Sequence, residues 1–96
     1  MAKLVALYKK PADVAAFDRY YFSNHVVAAK KIPGLRRYEV SSGPVATPQG
    51  ASPYHLIATL SFDSVDAIQR ALTSPEGQAA AGDLANFAQA GVELLV

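Results

Sequence analysis

The sequence has 96 residues, a formal net charge of +1 and no cysteine. This length fits one domain, and we expect residues 1–96 to fold as a single unit. The small net charge argues against a nucleic-acid partner, and the absence of cysteine excludes disulfides, thiolate metal sites and cysteine nucleophiles. No apolar run is long enough for a signal peptide or for the roughly 18 residues of a membrane helix. We therefore expect a cytoplasmic protein without a membrane partner.

The first third of the chain predicts a strand followed by a long helix. Leu4 to Tyr8 is apolar at every position, which is typical of a strand covered on both faces. Pro11 suits the start of a helix, which we expect to run from about residue 12 to about residue 30, before Pro33-Gly34. One stripe of this helix is mostly apolar and carries Val14, Phe17, Tyr21, His25, Ala28 and Ile32.

The middle of the chain predicts two strands joined by a long loop. Leu35 to Ser42 alternates as a second strand, and Gly43 to Pro53 is rich in the residues of turns. Tyr54 to Phe62 predicts a third strand, in which Leu56 belongs to one face and His55 to the other.

The last third predicts two helical stretches and a final strand. Asp63 or Ser64 caps a helix that runs through Leu72, and Ser74-Pro75-Glu76 has the cap, first-turn proline and early acid of a second helix start. Gly91 breaks that helix, and residues 92–96 form the last strand.

The resulting order is β-α-β-β-α-β, which predicts an α+β, ferredoxin-like fold with a four-stranded antiparallel sheet and helices on one face. The strands carry apolar residues on the second face as well, and this chain has no element to cover it. A second copy is the simplest cover, so we expect a homodimer in which two sheets pack into a dimeric α+β barrel.

The first helix carries the main candidates for chemistry. His25 titrates near neutral pH and could act as an acid, a base or a polar anchor, although a purely structural histidine is an equal alternative. Tyr20 and Tyr21 could hydrogen-bond a carbonyl or phenolic ligand, and Phe17 shares their apolar stripe. At least one of these rings is expected to fill the core.

Residues of the strands supply further candidates. Arg36 or Arg37 could bind an anionic group if it faces a cavity, and Tyr38 lies beside them. His55 could join His25, but no metal-ligand spacing accompanies the two histidines, so we expect no cofactor and no metal. Asp83 is explained by a solvated helix face. We assign His25 and Tyr21 as catalytic candidates, and as ligand-binding candidates Phe17, Tyr20, Arg36, Tyr38 and His55.

Three stretches of the sequence resemble the EthD family, which is associated with bacterial degradation of ethyl tert-butyl ether. The resemblance covers nearly the whole chain and is carried by residues 4–11, residues 17–22 with His25, and residues 31–38, with further similarity in residues 74–88 and 94–96. It implies the dimeric α+β barrel fold. Many members have a proline soon after the histidine, whereas this chain reads His25-Val26-Val27-Ala28, so we expect the helix to continue without a kink.

Three functions follow from these features. The first is binding or conversion of a small apolar or aromatic molecule in a barrel cavity within oxidative catabolism, by a cofactor-independent isomerase, lyase or monooxygenase-like reaction with His25 as acid, base or anchor. The second is a non-catalytic accessory or binding protein for an oxygenase component. The third, by analogy with the superfamily, is a haem-dependent enzyme, and the presence of only two histidines argues against it.

Overall fold

The computed structural model describes residues 1–41 and 43–96. Its main sheet contains strands β1 (Ala2–Lys9), β2 (Arg37–Val40), β5 (Tyr54–Phe62) and β6 (Val92–Leu95) in the spatial order β2-β5-β1-β6. Every pairing in this sheet is antiparallel. The predicted ferredoxin-like α+β fold is therefore confirmed for this chain.

The helical segments lie between these strands in the predicted order. The first consists of α1 (Val14–Tyr20), a π-helical turn (Tyr21–His25) and α2 (Val26–Lys30). The others are α3 (Val65–Thr73) and α4 (Pro75–Phe87). None of the helices in the described ranges is long and apolar enough to cross a membrane.

Three element boundaries differ from the sequence-based expectations. The first helix begins at Val14, two residues later than expected, because the Asp13 side chain accepts a hydrogen bond from the Ala16 backbone N–H as an N-cap. The second strand covers only Arg37–Val40, and Ser42, its expected last residue, lies outside the described residues. The expected loop contains a small hairpin of β3 (Ala46–Thr47) and β4 (Gly50–Ala51).

Helix-start chemistry explains where α3 and α4 begin. The Ser64 hydroxyl caps α3 by accepting from the Ala67 N–H, and Ser74 caps α4 by accepting from the Gly77 N–H. Pro75 occupies the first turn of α4, where its missing N–H leaves no hydrogen bond unmade. The two helices are thus separated by the single capping residue Ser74.

The core lies between the helices and one face of the sheet. Inward-facing residues of β1 and β5 are buried, and they are Leu4, Ala6, Tyr8, Leu56, Ala58 and Leu60. The alternate residues Val5, Leu7 and Ile57 point to the other face and are half-buried. Leu95, which pairs with Val5 and shares that face, is 54% exposed. No element in the described part of the chain covers this second face.

Candidate functional site

The π-helical turn places the aromatic stripe of the first helix in the core. Phe17, Tyr21, His25 and Ala29 are all buried, and they are spaced four residues apart. In a regular α-helix such a spacing drifts by about 40° per step. The π turn is wider, with the Val26 N–H donating to the Tyr21 carbonyl, and it offsets part of this drift so that His25 stays directed inward. The helix continues past His25 to Lys30, as expected, but it does so through a π-helical turn that the sequence did not predict.

His25 and Asp83 form the polar centre of the structure, which we call the His25–Asp83 pair. The Nδ1 atom of His25 lies 3.0 Å from Oδ2 of Asp83, and their side chains are only 7% and 16% exposed. The Tyr20 hydroxyl donates to Oδ1 of Asp83 at 2.6 Å, and the Asn86 amide donates to the same oxygen at 2.9 Å. An ionised carboxylate accepts only, so Nδ1 carries the proton and Nε2 of the neutral ring is an acceptor.

The two partners have lowered pKa values for different reasons. Burial lowers the pKa of His25, and this effect outweighs the opposing hydrogen bond and charge of Asp83. Burial alone would raise the pKa of Asp83, but hydrogen bonds from Tyr20, Asn86 and His25 together hold it below its usual range. Near neutral pH the pair therefore consists of a neutral imidazole and a carboxylate.

Three phenols surround the other side of the imidazole. The Tyr8 hydroxyl lies 3.4 Å from Nε2 of His25, and the Tyr21 and Tyr38 hydroxyls hydrogen-bond each other. Burial raises the pKa of Tyr8, Tyr21 and Tyr38, so all three are neutral hydrogen-bonding groups.

A cavity of about 60 Å³ adjoins this cluster between the sheet and the helices. His25, Tyr8 and Tyr38 supply its polar side chains. Most of the remaining lining is aliphatic, including Leu4, Ala6, Ile32, Ala58, Leu60, Leu84 and Leu94. The arrangement can place a small molecule against a neutral imidazole and two phenols, which is suited to proton transfer or to hydrogen-bonded binding.

Five of the seven candidate residues lie in this region. His25 and Tyr38 line the cavity directly. Tyr21 is fully buried behind Tyr38, and Tyr20 holds Asp83. Phe17 stacks on Tyr21 with ring centroids 5.9 Å apart. These last three support the cavity from behind and do not form its wall.

Arg36 does not reach the cavity. It precedes β2, is exposed, and forms a bidentate pair with the carboxylate of Asp63 at 2.9 and 3.1 Å. Arg37 is exposed on the strand itself. The assignment of Arg36 as a ligand-binding candidate was therefore wrong for this cavity, because its guanidinium pairs with Asp63 and neither arginine lines the cavity.

His55 belongs to a separate site on the surface. Its Nε2 atom is 2.7 Å from Oδ1 of Asp18, and its ring meets the edge of Phe17 at a centroid distance of 5.3 Å. The pairing of β1 with β5 is irregular between Tyr8 and Lys9. The regular alternation of side chains between the two faces of the sheet is interrupted there, and His55 lies toward the helices. The structure therefore does not bring the two histidines together in one cavity.

Asp83 and Tyr8 are the participants that sequence reasoning did not select. The expectation that Asp83 belongs to a solvated helix face was wrong, because its carboxylate accepts three hydrogen bonds inside the fold. Helical spacing could have predicted that Asp83 faces inward, since it lies three residues after the buried Ala80 and four before the buried Phe87. Tyr8 continues the inward alternation of Leu4 and Ala6, which also predicts a buried hydroxyl.

Comparison with known proteins identifies the family of the chain. A model of the EthD domain matches residues 9–91. This chain belongs to the EthD family. It is 41% identical to the uncharacterized 11.0 kDa protein in the thcB-thcC intergenic region of Rhodococcus erythropolis, over 99% of this chain and 91% of that protein.

Solved structures agree with the family and the fold. An EthD family protein from Bacillus halodurans has a TM-score of 0.88 and 38% identity, with 97% of this chain and 92% of that one covered. A dimeric ferredoxin-like protein of unknown function from Thermobifida fusca has a TM-score of 0.69 at 15% identity, covering 97% and 85% of the two chains, and at that identity only the fold is shared. The EthD chain described here thus has relatives with the same architecture.

The EthD site lacks the features of a metal or haem site among the described residues. Within residues 1–41 and 43–96, no three His, Cys, Asp or Glu side chains cluster in a way that could bind a metal ion. In His25, Nδ1 is engaged by Asp83 and Nε2 lies 3.4 Å from the Tyr8 hydroxyl, and the cavity that His25 lines, at about 60 Å³, has no room for a porphyrin. The residues of this cavity do not fit a haem.

Proposed function

We propose that this EthD protein binds a small apolar molecule in the cavity and that His25 moves a proton to or from it. The observation that carries the proposal is the His25–Asp83 pair, in which the carboxylate fixes Nδ1 and leaves Nε2 beside the hydroxyl of Tyr8, a residue that lines the cavity together with His25. A lowered pKa keeps the imidazole neutral and able to accept a proton near neutral pH.

In the proposed reaction class His25 removes a proton from a carbon next to a carbonyl group. The C–H electron pair moves toward the carbonyl oxygen, and the resulting enolate accepts hydrogen bonds from the Tyr8 and Tyr38 hydroxyls, which line the cavity. Asp83 is a positioning residue that stabilises the imidazolium. Tyr21 positions Tyr38 and does not touch the ligand itself. Such steps serve a cofactor-independent isomerase, lyase or monooxygenase-like reaction.

Exchange of the α-protons of acetone for deuterium, followed by proton NMR in heavy water, tests this proposal. We expect His25→Gln to reduce the protein-dependent exchange rate by about a hundredfold or more, since it removes the base. We expect Asp83→Asn to have a smaller effect on the maximal rate and to move the pH–rate profile to lower pH, because its carboxylate raises the pKa of His25. Asp66→Asn, an exposed acid of α3, is the control. Equal exchange by the wild type and His25→Gln would rule out the proposed role.

One observation favours a second function, binding without turnover. The Tyr8 hydroxyl already approaches Nε2 of His25 at 3.4 Å, so the base is partly engaged before any ligand arrives. In this alternative the protein carries a small molecule for an oxygenase component of an oxidative catabolic pathway, and family membership supports that setting. Co-purification with an oxygenase would support it, and proton exchange that depends on His25 would count against it.

We also propose that a second copy of the chain covers the open face of the sheet. Val5, Leu7, Ile57 and Leu95 give this face an apolar centre. Charged side chains surround that centre, namely Lys3 on β1 itself and Arg37, Glu39 and Glu93 on other strands. An apolar centre with a polar rim is typical of a protein interface, and a structural neighbour is described as dimeric.

A further inference from the structure

We infer that the ligand of this cavity is uncharged and that it enters between α4 and β6, across Ala81 and Leu94. The inference rests on the proposed function only in that it concerns the same cavity. It adds a chemical class for the ligand, a route of entry and the two residues that limit its size.

The charge of the ligand follows from the groups that would meet it. Among the described residues, no Lys, Arg, Asp or Glu side chain lines the cavity. Its polar side chains are two neutral phenols and an imidazole whose Nδ1 already faces the carboxylate of Asp83. A carboxylate or phosphate would lose its hydration without gaining a counter-ion and would lie near the negative Asp83, whereas a carbonyl or hydroxyl group needs only the hydrogen bonds that the phenols offer.

The route of entry follows from which lining residues also reach the surface. Ala81 of α4 is exposed, and Leu94 of β6 is 48% exposed although both line the cavity. Leu4, Ala6 and Ala58, which also line the cavity, are buried. Leu94 pairs with Ala6 and shares its helix-side face, so this mouth opens away from the sheet face that we assign to the second copy.

The size of the ligand follows from the volume of the cavity. A cavity known to enclose benzene measures roughly 150 Å³, which is more than twice the volume present here. An aromatic ring would therefore have to displace Leu94 or remain in the mouth. A compact aliphatic ketone or alcohol fits without such a change.

Acetone and acetate provide a matched pair of probes, because they are similar in size and differ in charge. Binding is followed by the NMR signals of the His25 ring during titration of the full-length protein with each probe. We expect acetone to shift these signals and acetate to bind at least about tenfold more weakly. We expect Ala81→Phe to weaken the acetone response by a similar factor by filling the mouth.

Ala79→Phe is the control for the mouth, since Ala79 is an exposed residue of the same helix that does not line the cavity. It should bind acetone as the wild type does. Leu94→Phe is the second mouth variant and keeps the test decisive if Ala81→Phe fails to fold. A wild-type acetate response equal to that of acetone, a response to neither probe, or full acetone binding by a folded mouth variant would overturn the inference.

The outcome can be separated from that of the proposed function. Proton exchange that depends on His25, together with equal binding of acetone and acetate, would support the function and contradict the uncharged ligand. Selective binding of acetone without exchange would support the uncharged ligand and contradict the catalytic role.

Discussion

His25 experiences two opposing influences, and their balance determines its chemistry. The Asp83 carboxylate at 3.0 Å favours the charged imidazolium, while burial favours the neutral ring. Burial dominates, so the histidine remains a free base in a protein that has a carboxylate beside it. A more exposed His–Asp pair would have the opposite balance and would be protonated more readily.

This balance predicts a pH dependence of stability. The unfolded chain protonates His25 at about pH 6.5, whereas the folded protein does so only at lower pH. Below about pH 6.5 the unfolded state therefore binds more protons, and the free energy of unfolding should fall as pH decreases, by at most about 1.4 kcal/mol per pH unit for this group. Well above about pH 6.5, His25 is neutral in both states, so its contribution to the free energy of unfolding no longer changes with pH.

Urea unfolding of the wild type and His25→Gln across this range measures the effect. The variant should show a shallower decrease in stability between neutral and mildly acidic pH, because it lacks the titrating group. Parallel pH profiles for the two proteins would mean that burial does not lower the pKa of His25.

At the scale of single residues, part of the site could be predicted from the sequence. The apolar stripe of the first helix identified Phe17, Tyr21 and His25 because helical periodicity depends only on spacing. The partner of His25 could not be found in this way, since Asp83 is 58 residues away and contact between them requires the fold. Arg36 was misplaced because its orientation depends on where the strand begins.

At the scale of elements, most segments could be predicted, but their irregularities could not. Caps, prolines and alternation located the four main strands and the helices of this chain. The π turn at Tyr21–His25 and the register shift beside Tyr8 each change a regular repeat locally. Tertiary packing selects such sites, and the regular pattern on either side gives no sign of them.

The contact between α3 and α4 predicts opposite effects for two glycines of one helix. A Cβ atom on Gly77 would lie 1.9 Å from the Ala71 carbonyl oxygen, whereas a Cβ on Gly82 would meet nothing within 4 Å. We expect Gly77→Ala to destabilise the protein by about 1–3 kcal/mol or more through overpacking. We expect Gly82→Ala to stabilise it by up to about 1 kcal/mol through better helix propensity.

Urea denaturation of both variants tests this pair directly. Each serves as the control for the other, because the amino-acid change is the same and only the surroundings differ. A Gly77→Ala variant as stable as the wild type would show that the two helices do not approach as closely as described.

At the scale of the whole molecule, the two faces of the sheet differ in what the sequence predicts. The face covered by the helices made the fold predictable, whereas the cover of the open face is a proposal. The helices shield one face, and alternation along β1 places Val5 and Leu7 on the other. The sequence shows that this second face is apolar, but it cannot show the geometry of the partner that covers it.

The proposed dimer predicts a specific effect of charge on the open face. Leu7→Lys should convert a dimer into a monomer, because a two-fold interface contains the substitution twice and loses about 1.5–3 kcal/mol per leucine. The dimer dissociation constant should therefore rise by at least about a hundredfold. Sedimentation velocity at micromolar concentration measures this change.

Val65→Lys is the matched control, since Val65 is 49% exposed on α3, away from the sheet. It should leave the association unchanged. A wild-type protein that sediments as a monomer would contradict the proposed dimer and leave the chain's own fold and cavity unaffected.

The most direct test of the site is nitrogen-15 NMR of the His25 imidazole near neutral pH. The structure predicts a neutral ring with its proton on Nδ1 toward Asp83 and an unprotonated Nε2 that responds when acetone enters the cavity. An imidazolium at that pH, or a neutral ring protonated on Nε2, would contradict the account, because His25 would then have no free base facing the cavity.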